Sequence, residues 1–206
     1  YDPVKKLSKP NNTIQEGVAA ASRIFNEHEE ETVIEEVSDP EHLTGRTLEV
    51  EFDRVGFTYS PDDPAALKGI SLKAAPGEVL ALVGMSGGGK TSLVNLVPRL
   101  YDVTDGAVRI NGTDIRQFSI SSLRDHISIV TQEPILFNES VRENIRYGRM
   151  DATDREIEDA ARAAYAYDFI QGFPNGFDTV IGELGSRLSG GEKQRICIAR
   201  ALIKDA

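Results

Sequence analysis

VLALVGMSGGGKTSLV, residues 79–94, decides how this chain is read. Residues 79–83 are all apolar, strand-sized and without polar alternation, so they predict a strand buried on both faces. Glycines follow at 84, 87, 88 and 89, then Lys90 and Thr91. Leu93, Val94, Leu96, Val97 and Leu100 then recur as one face of a helix. Strand, glycine loop, Lys-Thr and helix together make the phosphate-loop pattern G-x-x-x-x-G-K-S/T. Glycines let backbone N–H groups curl around an anion, and a helix N-terminus adds about half a positive charge. Lys90 supplies a cation for the β- and γ-phosphate oxygens, and Thr91 a hydroxyl suited to Mg²⁺. Gly84, Ser86, Gly87, Gly88, Gly89, Lys90, Thr91 and Ser92 are therefore the candidate phosphate-binding residues. A glycine-rich turn with a chance Lys-Thr is the competing reading. It leaves the flanking strand and helix unexplained.

The chain has 206 residues, enough for one large domain or one domain with an appendage, and a 40% apolar share that can form a core. No run approaches the roughly 18 apolar residues of a membrane span, and no secretory signal opens the chain. The formal charge of −10 repels nucleic acid and anionic lipid, so neither is expected as a broad-surface partner. Cys197 is the single cysteine, which excludes a disulfide framework and fits a reducing compartment. His28, His42 and His126 are scattered and read as surface residues.

Within residues 1–26, Ile14, Val18, Ala21 and Phe25 share a helical face, and Lys5, Lys6 and Lys9 cluster ahead of it. Either a solvated amphipathic helix or the cytosolic end of a longer helix fits. Residues 27–45 are acidic, contain Asp39-Pro40, and read as a linker. Leu48, Val50 and Phe52 alternate, as do Val55, Phe57 and Tyr59, and the three-residue step between Phe52 and Val55 predicts a bulge. Ile70 and Leu72 mark another strand. Residues 108–110 followed by Asn111-Gly112 predict a strand entering a tight hairpin. Ile127 and Ile129 mark a strand ending near Gln132. Ser140 with Glu143, and Thr153 with Glu156, match the reciprocal helix cap. A last helix runs from Glu192 toward the end, with Cys197 as a small core residue. Strands alternating with helices make the class α/β.

A second glycine motif, LSGGEKQR at 188–195, reads as a loop opening a helix, where N–H groups gather and an anion can dock. This stretch resembles the signature sequence of ATP-binding cassette proteins. The resemblance extends over the whole chain, through VIGELGSRLSGG, LFNESVRENIRYG and YDVTDGAVRINGTDIR, and is strongest to exporters of the bacterial lipid and multidrug flippase class. It implies a phosphate-loop NTPase fold of that type: a mixed sheet with an antiparallel β subdomain and an inserted α-helical subdomain. It implies residues 1–45 as a helical extension and linker from a membrane domain, and 46–206 as the nucleotide-binding domain. The expected setting is the cytoplasmic face of the inner membrane, within an integral transporter.

Roles come with the resemblance. Tyr59 stands where that family stacks an aromatic on adenine, although a strand-end aromatic is a plain alternative. Gln132 stands in the family's Q-loop, helping hold Mg²⁺ and the attacking water; a surface amide is the bland reading. Lys90 and Gln132 are thus the catalytic candidates, with ATP and Mg²⁺ as ligands and Thr91 and Gln132 as metal contacts. Ser189, Gly190 and Gly191 would close on the γ-phosphate held by a second domain, paired head to tail, most simply an identical chain; an ordinary helix N-cap at Ser189 is the bland reading, and both can hold at once. Glu183 would meet the coupling loops of the membrane domain, or be a solvated carboxylate. Three departures stand out: Gly88 where serine or alanine is common, Glu192 for glutamine, and Leu184 for a polar residue.

In the family an apolar strand ending in aspartate, then a glutamate and a switch histidine, follow the helix that opens at the signature. None is found in these residues. The 206 residues are therefore expected to be a piece of a longer protein that hydrolyses ATP poorly alone, with a central strand slot left open. Two other functions compete: a soluble ATPase of DNA repair or translation, and a nucleotide-binding module without turnover. Only about a hundred residues separate the two glycine motifs, with no heptads, which disfavours the DNA-repair form.

Overall fold

The computed structural model describes residues 14, 15, 17, 18, 21, 22 and 34–206. The six before residue 34 are helical, with Ile14 and Val18 exposed; Phe25 and the three early lysines lie outside the described residues. Residues 36–206 make a compact unit of their own.

That unit is built on two apolar cores. The first lies under a four-stranded antiparallel sheet of order β2-β1-β3-β4, formed by β1 (Val50–Phe57), β2 (Leu67–Ala74), β3 (Asp105–Ile110) and β4 (Thr113–Asp114). Strict alternation would put Phe52 and Val55 on opposite faces. The register of β1 slips between them, with Arg54 at φ 48°, and so Phe52, Val55 and Phe57 are all buried. Asn111 at φ 51° and Gly112 at φ 85° form the expected hairpin turn. Helix α1 (Lys90–Leu96) buries Leu93 and Leu96 in this core. Helix α2 (Ile120–Asp125) follows, with Ser119 accepting the Ser122 amide at its start. Arg124 of α2 donates to the carbonyls of Pro98 (2.9 Å) and Arg99 (2.8 Å), locking α2 to the exit of α1. The end of the acidic stretch is laid onto the body: Ser119 N–H donates to Glu41 O at 2.9 Å, and Leu43 N–H to Ser122 Oγ at 2.7 Å. Leu43 is buried.

The second core is helical, from α3 (Val141–Arg146), α4 (Asp154–Ala163), α5 (Tyr167–Gln171) and α6 (Gly190–Lys204). Ile145, Ile157, Ile170 and Ile196 meet there with no exposed surface. Burying each is worth about 1.5–3 kcal/mol. Thr153 and Glu156 form the full reciprocal cap of α4. At α3 only half of the predicted cap is made. Ser140 accepts the Glu143 amide, but the Glu143 carboxylate turns to Arg146 instead.

The fold class is as expected: an α/β unit with an antiparallel β subdomain and a helical subdomain. Two of the predicted strands are corrected. Residues 79–83 and 127–131 carry no strand ladder, and Val79 and Val83 are 94% and 90% exposed. A strand buried on both faces needs a neighbour along each edge to take its N–H and C=O groups. Among the described residues, none pairs with either run.

Candidate nucleotide site

The chain enters the phosphate loop from 79–83 and leaves it into α1. Gly89, at φ 77°, is the turn residue before that helix, and a Cβ there would sit 2.7 Å from Ala66 O. Only glycine permits both the left-handed backbone and this approach. The helix therefore begins at Lys90 with its first N–H groups facing the loop. The Lys90 ammonium donates to Gly84 O at 2.9 Å and to Met85 O at 2.6 Å, so it folds back across the loop's own carbonyls.

A cavity of about 550 Å³ opens above the loop, lined by Tyr59, Ala66, residues 86–92 and Gln132. The structure thus brings together nine sequence-predicted residues from three separate places in the chain. Gly84 stands at the loop's entrance and reaches the group through the Lys90 bond. Tyr59 is half-exposed and held on two sides. Its hydroxyl bonds to Ser92 Oγ at 2.8 Å, and its ring packs edge-on against Phe57 (4.7 Å) and Tyr101 (5.2 Å). Tyr101 was not foreseen, because nothing local in the sequence ties it to a residue 42 positions earlier. Gln132 sits in a tight turn closed by Thr131 Oγ1 donating to Glu133 O at 2.6 Å.

Ser189, Gly190 and Gly191 do not line this cavity. They open α6, where Ser189 accepts the Glu192 amide at 3.4 Å and Glu192 Oε2 accepts the Ser189 amide at 2.8 Å. The helix N-cap expected at Ser189 is formed, and the S-x-x-E pattern makes it reciprocal through Glu192. Hydrogen bonds from the Ser189 hydroxyl and amide hold the Glu192 carboxyl below its ordinary range. A Cβ on Gly190 would meet nothing within 4 Å. The chain's own fold therefore does not demand glycine there. Glu183 and Leu184 lie in a short 3-10 turn, with Leu184 exposed and at φ 49°.

Among the described residues no cluster of His, Cys, Asp or Glu could hold a metal alone. Thr91 and Gln132 offer neutral oxygen donors on one cavity. That set suits Mg²⁺ carried in with phosphate oxygens, since Mg²⁺ keeps waters and takes few protein ligands.

A phosphate loop between a β subdomain and a helical subdomain, with an aromatic and an amide sharing its cavity, defines a nucleotide-binding domain of the phosphate-loop class. The family model for ABC transporters matches residues 67–206, and the chain belongs to that family. It is 53% identical over its whole length to an ATP-dependent lipid A-core flippase of Syntrophus aciditrophicus (strain SB), covering 34% of that protein. It is 45% identical to a putative multidrug export ATP-binding/permease protein of Bacillus subtilis (strain 168), covering all of this chain and 35% of that one. Among solved structures, a bacterial Atm1-family ABC exporter with ATP bound superposes with a TM-score of 0.86 at 40% identity. The match covers 93% of this chain and 33% of that one. The chain spans about a third of the length of these relatives.

Proposed function

We propose that this chain is the ATP-binding motor domain, residues 46–206, of a membrane exporter that moves a lipid or similar amphiphile. Residues 1–45 lead in from its membrane domain, and the unit works at the cytoplasmic face of the membrane. The observation that carries the reading is the single cavity on which Lys90, Thr91, Tyr59 and Gln132 converge. ATP would stack its base on Tyr59 and seat its phosphates on the N–H groups of 86–91. Lys90 would exchange its two loop carbonyls for phosphate oxygens, so that its ammonium meets anionic acceptors in place of neutral ones. Thr91 and Gln132 would hold Mg²⁺, which supplies charge neutralisation at the β- and γ-phosphates. Gln132 would also orient the attacking water.

The open space over Gly190 and the exposed N-terminus of α6 support a role for Ser189, Gly190 and Gly191 in trans, on ATP held by a second copy. The cap takes the Ser189 and Glu192 amides and leaves those of Gly190 and Gly191 to meet an anion. The lipid class of cargo rests on the flippase relatives alone. Cross-linking tests the pairing. Cysteines replacing Ser86 and Ser189, in a Cys197→Ser background of the full-length protein, should join two copies when ATP is present. They should fail to do so with Lys90→Ala. Cross-linking that ignores ATP, or that never joins copies, rejects the head-to-tail arrangement.

A further inference from the structure

The phosphate loop and the signature turn lie in different subdomains, yet one side chain connects the Gln132 segment to the helix that begins at Ser189. Arg200, three turns along α6, spreads its guanidinium over three acceptors. Nε donates to Asn144 O at 2.7 Å, one terminal nitrogen to Ile135 O at 2.8 Å, and the other to Asn144 Oδ1 at 2.9 Å. Its plane also lies over the Phe137 ring, 5.5 Å from the centroid. Asn144 is wholly buried, and its amide is fully used. Oδ1 also accepts the Phe137 amide at 2.9 Å, while Nδ2 donates to Phe137 O and Ser140 O, both at 3.0 Å. Asn144, buried with every amide group satisfied, is rigidly held, because displacing it leaves a desolvated donor or acceptor bare, and the half-buried Arg200 is bonded to it twice.

Gln132 stands three residues before Ile135, with Pro134 between them restricting the backbone. The other side of Gln132 is held by the same helix. Lys204 donates to Arg124 O at 2.6 Å and Ile127 O at 2.9 Å, and Ser128 Oγ donates to Ala201 O at 3.1 Å. Both flanks of the Gln132 turn are thus pinned to α6. The turn itself, by contrast, has only its local Thr131 bond.

We propose that Arg200, acting with Asn144, is a positioning residue for Gln132, making the Gln132 segment and the signature helix move as one body. The consequence is mechanical. When a second copy's nucleotide draws on Ser189, the displacement of α6 is delivered to Gln132 in the same chain's own site. The proposal rests on the reading of Gln132 given above, and the experiment separates the two.

In the full-length transporter, Arg200→Lys keeps the charge but replaces a planar fork with a single flexible donor head. Amide exchange of residues 133–138 should quicken at least about tenfold while 154–163 stays unchanged. The kcat for ATP hydrolysis should fall about tenfold with KM for ATP within about twofold, the pattern of a misplaced group rather than lost binding. Adding Arg200→Lys to Gln132→Ala should cost less than about a further twofold, because residues that act through one another are non-additive. Unchanged exchange at 133–138, or losses that simply multiply in the double variant, overturns the proposal. Should Gln132→Ala alone leave kcat intact, the role given to Gln132 falls, and the exchange pattern alone decides whether Arg200 holds the segment. Arg200→Gln is the harsher variant; if it fails to fold, Arg200→Lys carries the test.

Discussion

Tyr59 shows how much one residue's role depends on its neighbours. Its hydroxyl on Ser92 and two edge-on aromatic contacts hold the ring plane, so the base stacking proposed for it would cost little ordering entropy. Base stacking on an aromatic is worth about 1–3 kcal/mol. Tyr59→Ala should therefore weaken ATP binding about tenfold in a fluorescence titration, and Tyr59→Phe, which keeps the ring and loses only the Ser92 bond, by much less. Equal affinity in the Ala variant would remove Tyr59 from the site. Gln132→Ala is expected to lower the rate of hydrolysis more than it lowers affinity, and steady-state kinetics beside the same titration separates the two. At this scale the sequence was legible wherever chemistry demands a fixed spacing. Lys90 and Thr91 could be placed from eight consecutive residues. Tyr101 and Arg200 could not, because each acts on a segment brought near only by folding.

Among the elements, local signals held where a few adjacent residues contain the whole interaction. Asn111-Gly112 and Thr153 with Glu156 are such cases. Helix α5 went unforeseen since it is five residues long and is held from outside, with Arg162 of α4 lying 3.6 Å above the Tyr167 ring. Helix α6 carries two predictions. Glu192 has a depressed value in the folded chain, so its cap contributes fully above the unfolded glutamate value of about 4.3 and is lost as pH falls through the lower folded value. Glu192→Gln retains a capping side chain without that titration. Urea melts between pH 7 and pH 3 should then show a smaller acid loss for the variant. An identical acid loss would mean that this carboxylate is not coupled to folding. The second concerns packing of α6 against the exit of α3. A Cβ on Gly148 would lie 2.1 Å from Arg200 O, and backbone cannot yield as a side chain does. Gly148→Ala should cost about 1–3 kcal/mol in the same urea measurement, the ordinary range for overpacking. A neutral result would mean that the α3–α6 approach is looser than described.

For the whole molecule, the sequence told which segments are apolar but not what covers them. Residues 79–83 read as a doubly buried strand because composition records preference, whereas burial depends on partners distant in sequence. In the structure this run and 127–130 flank a trench of about 380 Å³, closed below by Val50, Phe52 and Leu72 of the sheet and by Leu93 and Val97. Its walls include Leu80, Leu82, Ile129 and Val130, aliphatic side chains with little polar relief. Partly exposed as they are, these side chains forgo much of the roughly 25 cal/mol per Å² that full burial would return. Contiguous apolar surface of this kind binds hydrophobic dye. The 206-residue chain should therefore enhance anilinonaphthalene sulfonate fluorescence under native conditions. Ile129→Thr with Leu80→Thr should reduce that signal at least about twofold without loss of far-UV circular dichroism, since both side chains stand on the trench wall rather than in either closed core. ATP should leave the signal in place, because the nucleotide cavity and the trench share no lining residue. Dye binding that ATP abolishes, or that survives both threonines, would mean that the exposed apolar surface lies somewhere other than between these two unpaired runs.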